Sequence, residues 1–168
     1  MRRRILQTGL ALLAVMAAAP WMRTVQAVET QPLPAFEVST PDGRRAVSSR
    51  QLSAEAQWLI IYVTTDCPAC DRLLDALKGW QLSPRAGRIV VIAGGSAEKI
   101  RPYLLQRTQA GPPTAAMYAD QFDAARAALA VTASPTLIGV RDGQIVWSLS
   151  GVLNDPSALE GVIRKWLE

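Results

Sequence analysis

A strand, a cysteine pair and a helix follow one another in residues 58–77, which read WLIIYVTTDCPACDRLLDAL. The run 58–63 is continuously apolar and rich in β-branched and aromatic residues, which predicts a strand buried on both faces of a helix-covered sheet. After the cysteines, apolar side chains recur at helical spacing at Leu73, Leu74 and Leu77. Cys67 and Cys70 therefore lie where a buried strand ends and a helix begins.

The C-x-x-C spacing at a helix N-terminus favours thiol-disulfide chemistry. Unpaired N–H groups and the positive end of the helix dipole stabilise a thiolate there and lower the pKa of the cysteine. We expect Cys67 to attack a substrate disulfide and Cys70, one turn along, to resolve the mixed disulfide. Pro68 suits the first helical turn because it has no N–H to leave unpaired. Pro68 and Ala69 are also predicted to contact the substrate.

Other uses of a cysteine pair are restricted by the composition, which includes two cysteines and no histidine. A zinc site lacks its remaining ligands, and a haem-attachment motif requires histidine where this chain has Asp71. Catalysis by a Ser–His or Cys–His pair is excluded. An inert structural disulfide stays open as the alternative to a redox-active pair. No cofactor and no metal are expected, since the dithiol is itself the redox group.

The charge distribution argues against a nucleic-acid partner. The net charge of +4 comes from the N-terminus, because four of the 18 basic side chains and none of the 14 acidic ones precede residue 28. The remaining 14 basic and 14 acidic side chains balance. No basic surface for nucleic acid or an anionic membrane is therefore predicted. The apolar share of 49% supports one packed domain.

The N-terminus has the pattern of an export signal. Arg2, Arg3 and Arg4 precede residues 9–19, eleven residues without a polar side chain, which fits the apolar region of a signal peptide. We predict cleavage after Ala27, so that residues 1–27 are the signal peptide and residues 28–168 the mature domain. An uncleaved membrane anchor is the alternative. Both readings place the domain outside the cytoplasm, in a periplasm where disulfide chemistry is possible.

The rest of the chain reads as one α/β domain. Strands are predicted at 36–38, 45–47, 58–63, 88–93, 115–118, 136–140 and 144–148. Helices are predicted at 71–80, 96–107 and 122–130, with a last one capped by Asn154 or Asp155 and starting at Pro156. This order implies a central mixed sheet flanked by helices on both faces.

A second part of the chain, before the penultimate predicted strand, resembles a known family. Residues 131–138, VTASPTLI, precede Asp142-Gly143 and Gly151, and this unit resembles the thioredoxin superfamily beside its C-x-x-C motif. The resemblance implies a thioredoxin-like fold in which the Ser134–Pro135 bond is cis and packs beside the cysteines. It also implies that the backbone of Ser134 pairs with an extended substrate segment.

The N-terminal part of the domain is similar to the TlpA-like thiol-disulfide oxidoreductases. The similar features are Pro34-Ala35-Phe36, the turn Pro41-Asp42-Gly43 within an N-terminal β-hairpin, and an extra strand-helix insertion between Ala115 and Ala130. The resemblance covers residues 32–168. It implies a periplasmic protein that reduces disulfides of client proteins, in cytochrome c maturation or a similar assembly task. Such a reductant requires a membrane electron donor as a partner.

Three positions depart from the family pattern. Ile61 stands where thioredoxins carry a buried acid, Leu73 where some reductases of the branch carry Glu, and Asp66 where a tryptophan is usual. No group is therefore assigned to deprotonate Cys70. We expect Asp66 and Asp71 to form a solvated rim, with Asp66 raising the pKa of the Cys67 thiol.

Two other functions stay open at this point. The first is an oxidant that donates disulfides. The second is a non-enzymatic binding module that uses the same fold to hold an assembly partner.

Overall fold

The computed structural model describes residues 30–80, 88–109, 115–151 and 156–168. The strands within these residues are Gln31–Pro32 (β1), Glu37–Ser39 (β2), Ala46–Ser48 (β3), Gln57–Thr64 (β4), Ile89–Gly94 (β5), Ala116–Asp120 (β6), Thr136–Arg141 (β7) and Gln144–Ser150 (β8). The α-helices are Pro68–Gly79 (α1), Ala97–Gln109 (α2), Ala124–Ala128 (α3) and Pro156–Leu167 (α4), and Ser49–Gln51 is a 3-10 turn. The predicted signal peptide and the predicted caps of the last helix, Asn154 or Asp155, lie outside the described residues.

The described strands form one mixed sheet in the order β1-β8-β7-β4-β5-β6-β2-β3. The central strands β4, β5 and β6 are parallel, and the remaining neighbours are antiparallel. Thr64 is level with Gly94, and Gly94 with Asp120, so the carboxyl ends of the parallel strands share one edge of the sheet. This edge carries the cysteine pair. The predicted mixed sheet and N-terminal hairpin (β2–β3) are confirmed.

Helices cover both faces of the sheet, as predicted. Because parallel crossovers have one hand, the successive steps from β4 to β5 and from β5 to β6 place α1 and α2 on the same face. Together with α4 they bury Ile61, Leu74, Leu77, Ile100, Leu104, Ile163 and Leu167. The opposite face is covered by α3 and the lead-in segment, which bury Phe36, Trp58, Ile60, Ile92, Ala125, Leu129 and Ile138. No helix in the described parts of the chain combines the length and apolar character needed to cross a bilayer.

Apart from shifts of one to two residues at element ends, the observed elements differ from the predicted ones in three main places. The lead-in contains a short strand, β1, that pairs with β8. Helix α1 begins at Pro68, so the cysteine motif itself belongs to the first turn. Helix α3 is shorter than the predicted 122–130, because Asp123 has a left-handed φ of 55° and Phe122 lies in the preceding turn, 90% exposed.

A buried polar contact joins the centre of the sheet to α3. Tyr62 on β4 donates its hydroxyl hydrogen to Asp120 Oδ2 at 3.0 Å. Asp120 also accepts the N–H groups of Ala125 (3.2 Å) and Arg126 (2.9 Å), so this carboxylate caps α3. The Tyr62 hydroxyl occupies the space above Gly94, where an added Cβ would lie 2.1 Å from its oxygen. Only glycine fits at that position of β5.

A buried tyrosine, Tyr62, and a partly buried one, Tyr103, predict a loss of stability at alkaline pH. Burial, reinforced by a neighbouring aspartate, raises the pKa of Tyr62 and of Tyr103 above the usual value of 10. The unfolded chain therefore loses these protons first, and stability falls as the pH rises above about 10, by up to about 1.4 kcal/mol per pH unit for each tyrosine. We expect Tyr62→Phe to show a shallower alkaline decline in urea unfolding midpoints than the wild type. Identical declines in the two proteins would contradict this assignment.

Candidate active site

Cys67 is the N-cap residue of α1, with an extended backbone (φ −120°, ψ 96°). Its carbonyl oxygen accepts the N–H groups of Cys70 at 2.9 Å and Asp71 at 3.2 Å, and its Sγ also accepts the Cys70 N–H at 3.1 Å. Pro68 occupies the first helical position, as its lack of an N–H predicts. The sulfur of Cys67 thus lies at the positive end of α1, where a thiolate is stabilised.

The two cysteines form a disulfide and differ in exposure. Their Cα atoms are 5.2 Å apart. Cys70 is fully buried in the core beneath α1, whereas Cys67 is only partly buried. A sulfur on another protein can therefore reach Cys67 and not Cys70. This asymmetry fits the predicted order, in which Cys67 attacks and Cys70 resolves.

The loop before β7 lies beside the cysteine pair, although it is far from the cysteines in the sequence. The Ser134–Pro135 peptide bond is cis, and the carbonyl oxygen of Ser134 lies 3.7 Å from Cys67 Sγ. Thr136 fixes the loop by donating its hydroxyl hydrogen to the carbonyl oxygen of Ala133 at 2.6 Å. The carbonyl oxygen of Pro135 accepts the N–H of Gly151 at 2.9 Å. The loop is therefore anchored at both ends, beside Cys67.

The structure brings the predicted site residues to one edge of the sheet. Pro68 is exposed and Ala69 is partly exposed in the first turn of α1, next to Cys67. Ser134 is partly exposed, whereas Pro135 is buried. Contact of these four residues with a substrate stays a prediction.

The two acidic residues around the motif have different surroundings. Asp66 is 72% exposed and pairs with Lys99 of α2 at 3.0 Å, which agrees with a solvated rim. The Asp71 side chain is 42% exposed and is held by two partners. It accepts the hydroxyl hydrogen of Tyr103 at 3.1 Å and pairs with Arg107 at 2.5 Å. Both partners come from α2, more than 30 residues along the chain, so local spacing could not reveal them.

No acid faces Cys70 in the part of the chain that the structure describes. Ile61, at the position of the acid expected from the family, is fully buried. Asp120 is the buried carboxylate among the described residues, and it lies on the opposite face of the sheet with Tyr62. Sequence reasoning missed Asp120, because an aspartate at the end of a strand ordinarily signals a turn. The described residues also contain no group of three or more potential metal ligands.

The Asp66–Lys99 pair predicts a small effect on the Cys67 thiol of the reduced protein. Asp66→Asn should lower the pKa of Cys67 and Lys99→Gln should raise it, each by about 0.2 to 0.5 unit, because both side chains are exposed and screened by salt. The measurement is the pH dependence of alkylation by iodoacetamide at low and high salt. Shifts of the same sign in the two variants would contradict the prediction.

Comparisons with known proteins give matches among solved structures alone. No family model and no curated protein matches the chain. The thioredoxin domain of a thiol-disulfide oxidoreductase from Bacteroides vulgatus matches with a TM-score of 0.61 at 16% identity, over 82% of this chain and 96% of that one.

Two exported proteins match similarly. A secreted disulfide oxidoreductase of Mycobacterium tuberculosis, homologous to DsbE of E. coli, gives a TM-score of 0.59 at 16% identity over 77% and 95% of the two chains. The exposed lipoprotein thioredoxin Etrx1 of Streptococcus pneumoniae gives a TM-score of 0.58 at 12% identity, over 78% of this chain and 98% of that one. The chain has a thioredoxin-like fold, as the sequence predicted.

Proposed function

We propose that this chain, with its thioredoxin-like fold, is an exported thiol-disulfide oxidoreductase that reduces disulfides of client proteins. One observation carries the proposal: the Cys67–Cys70 disulfide lies at the N-terminus of α1, with Cys67 accessible and Cys70 buried. A structural disulfide needs neither a helix terminus nor one cysteine that is more accessible than the other. Both features serve attack by a thiolate on another protein's disulfide.

The reaction transfers two electrons to the client. In the reduced protein, the Cys67 thiolate attacks one sulfur of the client disulfide, and the client's other sulfur leaves as a thiolate that takes up a proton. The Cys70 thiol then loses its proton to solvent and attacks Cys67 Sγ. This second step breaks the mixed disulfide, releases the client as a dithiol and forms the intramolecular disulfide. A dithiol donor must then reduce that disulfide for the next cycle.

The loop at Ser134 provides a surface for the client backbone. Its carbonyl oxygen lies 3.7 Å from Cys67 Sγ, so an extended client segment paired with Ser134 would place its cysteine beside Cys67. The anchoring bonds of Thr136 and Pro135 fix the backbone before the client arrives, which lowers the entropy lost on binding. Pro68 and Ala69 would border the same segment on the other side.

The charges around Cys67 favour a reductant over an oxidant. Strong oxidants owe their potential to a highly stabilised thiolate in the reduced form. Here Asp66 and Asp71 are each paired with one cation, Lys99 or Arg107, so these two pairs supply no net positive charge to a thiolate. The helix terminus is therefore the principal stabilising influence on the Cys67 thiolate.

The cellular setting belongs to the proposal. The pattern of residues 1–27 supports export, and matched proteins of this fold include a secreted protein and an exposed lipoprotein. We propose a periplasmic role in cytochrome c maturation or a similar assembly task, with a membrane protein as electron donor. The mass of the protein purified from a bacterial periplasm tests the export step: a chain starting at Val28 supports cleavage after Ala27, and a full-length chain in the membrane indicates an anchor.

The activity is tested with a model protein disulfide. Insulin is reduced by excess dithiothreitol in the presence and absence of the mature domain, and precipitation of the freed chain is followed by turbidity. We expect the domain to accelerate precipitation at catalytic concentration. A rate equal to that of dithiothreitol alone would favour the binding-module alternative.

A further inference from the structure

Four side chains form a network between the cysteine helix and α2. Arg107 of α2 reaches Asp71 with Nη2 and Asp75 with Nη1, both at 2.5 Å. Tyr103, one turn earlier on α2, donates its hydroxyl hydrogen to Asp71 at 3.1 Å, and the Arg107 guanidinium lies 5.5 Å from the centre of the Tyr103 ring. We call Asp71, Asp75, Tyr103 and Arg107 the α1–α2 charge cluster.

The cation of the α1–α2 charge cluster is largely buried, whereas its two carboxylates, Asp71 and Asp75, are 42% and 61% exposed. The Arg107 side chain is 14% exposed, against 59% for Lys99 in the pair with Asp66. Charges that are partly withdrawn from water are screened less by solvent and salt. Tyr103 stays neutral, because burial and then the Asp71 charge raise its pKa above the usual value. Arg107 therefore supplies the positive charge that faces Asp71.

Asp71 lies one helical turn after Cys67, the attacking residue. It follows Cys67 by four residues, and its N–H donates to the Cys67 carbonyl oxygen at 3.2 Å. Residues four apart are neighbours on a helix surface, so an unpaired Asp71 carboxylate would oppose a thiolate at Cys67. Asp75 is one turn further from Cys67 and has a second cation, Lys78, at 3.5 Å.

We propose that Arg107 is a positioning residue of the active site that holds and neutralises the Asp71 carboxylate and thereby sets the stability of the Cys67 thiolate. The inference deepens the proposed function and rests on it for its biological meaning. Within the described residues, the other charged side chains adjacent to the motif are Asp66 with its partner Lys99, and Arg72, which is exposed on α1. The loop 133–135 contributes no charge. Among the described residues, Arg107 is thus the largely buried cation that offsets the negative charge of the first helical turn.

The test is the pKa of the Cys67 thiol in the reduced mature domain, measured by the pH dependence of iodoacetamide alkylation. Arg107→Gln removes the charge and should raise that pKa by about half a unit to one unit. Arg107→Lys keeps the charge and should stay closer to the wild type. Asp75→Asn is the matched control, because it breaks one arm of the same arginine but leaves Asp71 paired, and it should leave the pKa unchanged.

A second variant keeps the test decisive if Arg107→Gln does not fold. Asp71→Asn removes the opposing charge and should lower the pKa of Cys67, and the double variant Arg107→Gln/Asp71→Asn should return towards the wild type. The proposal is overturned by equal pKa values in the wild type and Asp71→Asn. It is also overturned if Arg107→Gln and Asp75→Asn shift the pKa alike, since the network would then act through packing alone.

The reduction potential provides an independent readout. In Arg107→Gln, a thiolate that is tenfold less stable would change the equilibrium constant with glutathione by up to tenfold. The reduction potential would then fall by up to about 30 mV, towards more reducing values. The alkylation measurement needs only a reduced thiol and no client. A chain that lacks oxidoreductase activity but shows the shifts would refute the proposed function and retain this inference, whereas activity without the shifts would do the opposite.

Discussion

Cys67→Ser is expected to abolish disulfide exchange, because it removes the one sulfur of the pair that another protein can reach. Loss of a nucleophile costs an enzyme about a thousandfold or more in rate, and a serine hydroxyl does not exchange with disulfides. Insulin reduction should therefore fall to the rate of dithiothreitol alone. The substitution exchanges one atom at a helix N-cap, and serine is a good N-cap residue, so the fold should be retained.

Cys70→Ser is the matched variant and has a different expected result. Cys67 still attacks, but no second thiol resolves the mixed disulfide, so the client stays covalently attached. A non-reducing gel of cells producing Cys70→Ser should show adducts that dithiothreitol removes, and Cys67→Ser should show none. Adducts in Cys67→Ser alone would reverse the assigned roles. No adducts in either variant would contradict the proposed exchange.

Asp120→Ala is expected to cause a large loss of stability. The variant leaves two buried donors without an acceptor, the Tyr62 hydroxyl and the N–H of Ala125, and a partly buried one, the N–H of Arg126. Each unsatisfied buried donor costs about 1–3 kcal/mol, so the free energy of unfolding should fall by about 2 kcal/mol or more. Urea unfolding followed by tryptophan fluorescence measures the change.

Tyr62→Phe is the control for this prediction. It removes one donor together with its hydrogen bond and leaves the cap of α3 in place, so the expected loss is about 1 kcal/mol. Thiol exchange should be retained in both variants while they are folded, because Asp120 lies on the face of the sheet opposite Cys70. Equal losses of stability in Asp120→Ala and Tyr62→Phe would contradict the role of Asp120 as the cap.

The segment from β4 to α1 was predictable because its signals are local. A continuous apolar run and a helical repeat identify a strand and a helix without any knowledge of the rest of the chain. The cysteines lie between them, so their chemistry followed from the same pattern. The proximity of Ser134 to Cys67 came from the family resemblance, since nothing in the spacing of residues 67 apart brings them together.

The surroundings of the site were less predictable, because their contacts join residues that are far apart in the sequence. Asp71 was expected in a solvated rim, but the fold of α2 against α1 supplies Tyr103 and Arg107 from more than 30 residues away. The capping role of Asp120 also depends on tertiary structure, because its donors include Tyr62 on a strand two places across the sheet. Contacts that neutralise a charge or cap a helix can thus be identified only in the packed structure. The strands, the helices and the motif between them can be predicted from the sequence.

The reduction potential of the Cys67–Cys70 pair in the mature domain tests the central claim most directly. The pair is equilibrated with glutathione or dithiothreitol buffers, and the oxidised fraction is read after acid quenching and thiol alkylation. The proposed reductant should have a potential near or below about −270 mV, the value of thioredoxin, and a potential near about −120 mV, that of the strongest periplasmic oxidant, would contradict it. A pair that does not exchange with either buffer would overturn the oxidoreductase function altogether.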